Sequence, residues 1–158
     1  MPGSGYTIEF VTTDWERFAE TVALSFAVLY EPFGVGWAGK DATAADWVHP
    51  GPDTLIAIAI TPTGELLGSA RLLGCAGDER RQVRQVAVFP HVRRGGVGRA
   101  LMHALEARAA EEGARETWLN ARDTAYVFYE SLGYELQGEG FVSELTGIPH
   151  RAACKRLG

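Results

Sequence analysis

The sequence predicts one α/β domain, with short strands and amphipathic helices alternating along the chain. Three observations carry that expectation. At 158 residues the chain has room for one domain with a substantial core and no need of covalent staples. Its 46% hydrophobic and 22% charged residues place it among folded globular proteins rather than disordered chains. Its apolar residues switch between strand-like alternation and helix-like recurrence, and no repeat, low-complexity tract or linker divides it.

Taken in order, "YTIEF" (6–10) alternates like a strand. Thr13 and Glu16 have capping-box spacing, and Trp15, Phe18, Ala19, Val22, Ala23 and Phe26 recur at helical spacing, so 14–29 reads as an amphipathic helix that Pro32 ends. Residues 33–52 mix glycines and aromatics around a short helical stretch at Ala42–Val48; they read either as an irregular connection or as cover for a site. "TLIAIAI" (54–60) is continuously apolar, as a strand buried on both faces would be. The turn residues Pro62 and Gly64 lead to a hairpin partner at 66–74. In the next strand, "QVRQVAVF" (82–89), Val83 is out of step with Val86 and Val88, which predicts a bulge between them. A helix follows from Val97 to about Glu112, burying Val97, Leu101, Ala104 and Leu105 and stopping at Gly113. A strand at 116–121 precedes a short helix at 123–134, with Asp123 as its N-cap and Gly133 as its left-handed terminator. Strands at 135–145 and 149–157 close the chain around Thr146–Gly147.

The charge balance, 15 basic against 20 acidic residues, speaks against a general nucleic-acid binder, which presents a basic surface. An acidic whole suits a cationic amine substrate. No apolar run is long enough to span a bilayer, and "MPGSGYTIEF" has neither the basic nor the apolar segment of a signal peptide. With two cysteines, Cys75 and Cys154, and no disulfide framework, the chain reads as cytoplasmic. The histidines are scattered and neither cysteine has a ligand-spaced neighbour, so no metal is expected.

The most informative stretch is "HVRRGGVGRALM" (91–102), where two arginines and three glycines open a helix. The first amides of a helix lack intrahelical partners and carry the positive end of the helix dipole. Glycines let those amides approach an anion, and Arg93 and Arg94 can add charge-assisted hydrogen bonds to phosphate oxygens. A nucleoside-triphosphatase loop would continue Gly-Lys-Ser/Thr, whereas Val97 and Gly98 follow Gly96. A dinucleotide-binding loop would want a glycine at Leu101 and would open early in a βαβ unit. The alternative is an ordinary loop before an amphipathic helix.

"VAVFPHVRRGGVGRALM" resembles the acetyl-CoA signature of the GNAT N-acetyltransferase superfamily, whose Arg/Gln-x-x-Gly-x-Gly/Ala pattern is met by Arg93, Gly96 and Gly98 after a "VAV" strand. "FYESLGYE" resembles the family's second signature, and "GEGFVSELTGIPHRAACKRL" is similar to a bacterial branch with a GI-x-H turn. The motifs extend from about Leu66 to the end. The resemblance implies a mixed, mostly antiparallel central sheet flanked by helices, with strands splayed at the cofactor cleft.

It also implies roles. The loop Arg93, Arg94, Gly95, Gly96, Val97, Gly98 and Arg99 would bind the coenzyme A pyrophosphate, and the backbone of Val86 and Val88 would bind its pantetheine arm, the Val86 amide facing the thioester carbonyl. A fixed donor there would stabilise the oxyanion formed on attack. Tyr129 matches the tyrosine that protonates the departing thiolate; alternatively it is a core aromatic, because Ala125, Phe128, Tyr129 and Leu132 share a helical face. Asp123 stands where some members place an Asn on the cofactor. Relatives often carry a basic Glu on the "VAV" strand, where this chain has Gln85, which cannot serve; His150 and Glu144 are the candidate bases.

Two functions follow. One is transfer of an acetyl group from acetyl-CoA to a primary amine of a small molecule or peptide, by direct attack in a ternary complex. The other is a non-catalytic acyl-CoA-binding or sensing domain using the same cradle. Neither requires a nucleic acid or a membrane, and the resemblance is compatible with a homodimer.

Overall fold

The computed structural model describes residues 5–34, 54–144 and 146–158. Among them seven strands form one sheet: β1 (Thr7–Val11), β2 (Leu55–Ile60), β3 (Leu66–Leu72), β4 (Arg80–Val88), β5 (Glu116–Arg122), β6 (Glu135–Val142) and β7 (Pro149–Arg156). Their spatial order is β1-β2-β3-β4-β5-β7-β6, and every neighbouring pair is antiparallel except β4 and β5. The helices are α1 (Phe18–Leu29), α2 (Val97–Glu111) and α3 (Tyr126–Ser131), with single 3-10 turns at Glu31–Phe33, Pro90–Val92 and Asp123–Ala125. The element order is the one expected; the short helix at 42–48 and His49 lie outside the described residues.

The two long helices cover opposite faces of the sheet. Leu101, Met102 and Leu105 of α2 are fully buried against Ala57, Ala59, Leu67 and Ala70, while Leu24 and Val28 of α1 pack with Ile56, Ile58, Leu66 and Ala87. Alternation along β2 sends Ile56 and Ile58 one way and Ala57 and Ala59 the other, so a continuously apolar strand feeds both layers.

Three local expectations are corrected. The Thr13/Glu16 box does not cap α1, which begins at Phe18 after Arg17 with no side-chain cap. Of the residues expected on the buried face of α1, Val22 and Phe26 are buried, but Ala19 and Ala23 are exposed, and Thr21, Leu24, Ser25 and Val28 are buried beside them. The helix is apolar on several sides, so spacing alone left its phase open; the face richest in large aliphatics near the sheet was selected by packing, with Val22 and Phe26 forming a side cluster. Asp123 caps no helix; it is exposed in the 3-10 turn before α3. At the other end Gly133 takes φ 98°, and Tyr134 N–H donates to Tyr129 O at 3.1 Å, the closure expected of a left-handed terminator. In α2 the buried stripe includes Met102 and Glu106, with Ala104 half-buried.

One departure from regularity shapes the molecule. Across the β3–β4 ladder Ser69 faces Ala87 but Arg71 faces Arg84, so three steps of β4 oppose two of β3. The extra residue is in the stretch where Val83 and Val86 fall out of phase, and Gln85 within it has φ 56°, a left-handed conformation rare outside glycine. On its other edge β4 pairs with β5 only at Arg80–Glu116, Arg81–Thr117 and Gln82–Trp118. Beyond Gln82 the two strands part. The closed end is pinned by the Arg80–Glu116 ion pair and by Arg81, whose buried guanidinium binds Glu112 at 2.5 Å and the Leu73 and Gly74 carbonyls.

Close packing of α2 on β3 requires Gly68: a Cβ there would stand 3.0 Å from the Ala87 carbonyl oxygen and 3.2 Å from Leu101 Cδ1. Gly68→Ala is therefore expected to lower the unfolding free energy by about 1–3 kcal/mol, the range for overpacking a tight core, read from the urea midpoint at unchanged slope.

Candidate functional site

Parting β4 from β5 opens the sheet itself, and the gap continues into a cavity of about 940 Å³. Volume of this order is at the upper end for small-molecule sites. Val83, Arg84, Gln85, Val86 and Val88 form one wall, Leu119, Asn120 and Arg122 of β5 the other. The cavity reaches α1 on one face of the sheet and the start of α2 on the other.

The β4 wall offers backbone as well as side chains. Phe89 N–H donates to Leu67 O at 3.0 Å and Ala87 faces Ser69, so in the antiparallel alternation the N–H and C=O of Val88 point away from β3. Two residues earlier Val86 repeats that direction. Both residues line the cavity on the edge that β5 has left.

At the α2 end, Arg94 (φ 70°) and Gly96 (φ 81°) both take the left-handed conformation, turning the loop so that α2 starts at Val97. Gly96 is the N-cap and no side chain caps the helix, so the amides of Val97, Gly98 and Arg99 have no intrahelical partner. A Cβ on Gly98 would lie 3.3 Å from Phe128 Cζ, so glycine lets α2 approach α3 there. Arg93 and Arg94 are exposed and have no ion-pair partner among the described residues; Arg99 touches Ser131 Oγ at 3.3 Å. Arg93, Arg94, Gly96, Val97, Gly98 and Arg99 all line the cavity, while Gly95 sits in the same turn without lining it. The arrangement is a concave run of donors and cations suited to a polyanion.

The opposite face of the gap is built from side chains. Arg122 reaches over Tyr30 and Phe33, with its guanidinium 5.6 and 5.2 Å from their ring centres, and donates to the Leu29 carbonyl. Burial holds its pKa below the ordinary arginine value. Gln85 Nε2 lies 3.4 Å from the Tyr30 hydroxyl, and its Oε1 is buried with no hydrogen-bond partner. His150 is paired with Arg122 across the β5–β7 ladder, so the two side chains share a face. Its ring stacks on Phe141, and Nδ1 sits 2.8 Å from Ile148 O. A carbonyl can only accept, which makes Nδ1 the protonated nitrogen and leaves Nε2 of the neutral ring able to take a proton. Glu144 stands in the exposed β6–β7 turn and is not among the cavity-lining residues.

Tyr129 projects from α3 into the cavity wall, with its ring edge-on to Phe128 and Tyr134. Burial raises its pKa well above the usual phenol range, with Arg122 pulling the other way. The hydroxyl therefore keeps its proton throughout the neutral range. The neighbouring Tyr134 is differently employed. Its hydroxyl accepts from Thr117 Oγ1 and donates to Glu106 Oε2, both at 2.9 Å, and Glu106 Oε1 takes Lys155 Nζ at 2.8 Å. This buried chain ties α2 to β5 and β7 and holds α3 from behind.

Sequence reading placed Tyr129, His150, Val86, Val88 and the loop around one cavity, and the fold brings these together. It missed Arg84, Arg122 and Tyr30 as wall residues, and named Gln85 only for lacking a carboxylate. The one available signal was the phase slip at Val83–Val86; Arg122 and Tyr30 join the wall only through contacts between distant elements.

A split sheet with a donor-rich helix start on one side and a polar chamber on the other is the architecture of an acyl-CoA N-acyltransferase fold. A family model described as Acetyltransferase (GNAT) domain matches residues 52–136, more than half of the sequence. The chain belongs to the GNAT acetyltransferase family. It is 38% identical over 74 residues to the uncharacterized N-acetyltransferase YjcF of Bacillus subtilis, a match covering 47% of this chain and 52% of that one. The chain spans about half the length of the curated relatives it matches. Among solved structures it is similar to an acetyltransferase of the GNAT family from Staphylococcus aureus Mu50 (TM-score 0.76, 14% identity, 96% of this chain and 100% of that one). It is also similar to an aminoglycoside 6'-N-acetyltransferase complexed with coenzyme A (TM-score 0.70, 18% identity, 94% and 96%).

Tyr134→Phe should leave Thr117 Oγ1 and one Glu106 oxygen short of a partner. We expect a loss of about 1–3 kcal/mol of stability, measured by denaturant unfolding.

Proposed function

We propose that the protein transfers an acetyl group from acetyl-CoA to a primary amine by direct attack. The observation that carries this reading is the parted β4 edge, which leads from the arginine–glycine loop to Tyr129. The loop amides with Arg93 and Arg94 hold the pyrophosphate, and the free edge at Val86 and Val88 receives the pantetheine arm. The family membership and the coenzyme A in the aminoglycoside 6'-N-acetyltransferase structure support that choice of donor.

In the chemical step a C–N bond forms and the thioester C–S bond breaks. The Val86 amide faces the carbonyl oxygen and stabilises the negative charge that develops on it. An ammonium group near pKa ~10 must first lose a proton, and His150 Nε2 accepts it, in a ring oriented by Ile148 O and Phe141. Tyr129 supplies the proton that the leaving thiolate takes up. The second proton shed by the attacking nitrogen as the amide forms restores the phenol, so that one proton in all is released, from His150. The raised pKa of Tyr129 makes it a weak acid, but a thiolate released into the same desolvated cavity is correspondingly basic. The second reading, a domain that binds acyl-CoA without turning it over, is favoured by one feature: Gln85 stands where relatives carry a carboxylate.

Thiol release with acetyl-CoA and an amine panel tests the proposal; acetyl-CoA that binds in calorimetry but is not consumed with any acceptor decides for the binding domain. Tyr129→Phe should leave coenzyme A affinity nearly unchanged and lower turnover by roughly 10²-fold or more. Because burial raises the tyrosine pKa, its active protonated form persists to higher pH. The wild-type pH–rate profile should thus show no fall from this group below pH ~10, the ordinary phenol value.

A further inference from the structure

The described residues lining the cavity include five arginines, Arg84, Arg93, Arg94, Arg99 and Arg122, and no aspartate or glutamate. Three of the five stand at the α2 loop, where the diphosphate of the donor accounts for them. Arg84 and Arg122 do not. Arg122 is on the α1 face of the gap, beside Tyr30 and Phe33. Arg84 is the cross-strand neighbour of Arg71, whose guanidinium stacks over Phe18 of α1, so Arg84 belongs to the same face.

Arg84 is half-buried and has neither a hydrogen bond nor an ion pair among the described residues. Arg122 has a carbonyl and two rings but no carboxylate. Burial of Arg71 behind them, together with the nearby Arg84, brings the Arg71 pKa down to about 10, a sign that the two charges are close enough to repel. Cations gathered in a partly desolvated pocket repel one another unless an anion enters. Between them Gln85 Oε1 is buried without a donor, held there by the left-handed bulge. The chamber thus presents one unmet acceptor and, on the same side of the gap, two guanidinium groups with no carboxylate partner among the described residues.

We infer that the acceptor is a primary amine that itself carries an anionic group, a carboxylate or a phosphate, held by Arg84 and Arg122 while Gln85 Oε1 accepts a hydrogen bond from its nitrogen. This rests on the transferase reading above and narrows it. It also reverses the expectation drawn from net charge. Among the described residues the cavity lining holds no carboxylate, so a polycationic acceptor such as a polyamine or an aminoglycoside would meet guanidinium groups here with none to offset them. Gln85 serves as a positioning residue: an amide carbonyl orients the amine but cannot keep its proton.

The test uses the full chain, saturating acetyl-CoA and three sets of amines. One set comprises amino carboxylates and aminoalkyl phosphates of two to six carbons. The second comprises their matched amides and amino alcohols. The third comprises spermidine and an aminoglycoside. The expected result is a kcat/KM at least about tenfold higher for anionic amines than for their neutral partners, the scale of one charge-assisted contact. Whether carboxylates or phosphates lead identifies which anion the site takes. Arg84→Gln, which breaks no side-chain hydrogen bond or ion pair among the described residues, should collapse that ratio mainly through KM; Arg122→Lys, which keeps a charge but loses the planar fork, should lower it in part. Equal or better turnover of neutral or polycationic amines would overturn the inference and leave the transferase reading standing. Bound but unconsumed acetyl-CoA with every amine would overturn both.

Discussion

Everything distinctive in this protein depends on β4 being unable to keep β5 as a neighbour along its whole length. The two strands are hydrogen-bonded at Arg80–Gln82 and separate beyond. Open strand edges inside a fold are costly, since each unpaired amide and carbonyl forfeits a hydrogen bond. The chain tolerates this one because the closed end is tightly held: the Arg80–Glu116 pair, the satisfied Arg81 guanidinium and the parallel ladder act together. The bulge at Gln85 then changes the facing of everything after it, so that Val86 and Val88 turn their backbone groups into the gap. Without that slip the strand would present them to the other side.

The gap passes through the sheet, and the two faces have different chemistry. On the α2 face, left-handed residues, uncapped amides and the exposed Arg93 and Arg94 form a concave run of donors and cations suited to a polyanion. On the α1 face, long side chains from four separate elements converge: Tyr30, Gln85, Arg122 and His150. Tyr129 stands between. The buried chain through Tyr134, Glu106 and Lys155 supports it from behind without competing for its hydroxyl. The edge-on packing against Phe128 and Tyr134 fixes the Tyr129 ring, which the proposed role as a proton donor requires.

What was legible and what was not follows from the range of the interactions involved. The loop at 93–99, the terminator at Gly133 and the phase slip after Val83 are local: each is set by glycine conformations or by strand period, and each could be read from a few residues. The face of α1 was not, because several of its sides are apolar and only contact with Leu66 and Ile58 picks one. The burial of Glu106 was hidden for a similar reason. Its partners Tyr134 and Lys155 are 28 and 49 residues away, and without them a carboxylate on that stripe would be expensive. Net charge is a property of the whole chain, and 20 acidic residues say nothing of which side chains face one cavity.

By itself the sequence determined the succession of strands and helices, the place of the bulge and the anion-ready start of the second long helix. Those depend on neighbours in the chain, through backbone conformations that glycine permits and side-chain periods that burial requires. Tertiary structure alone decided that Arg84, Arg122 and Tyr30 share a chamber with Tyr129, because that grouping arises where two strands diverge and a helix end closes over them. Pairing across a sheet is fixed by the sum of contacts in both layers, and no short stretch of residues encodes it.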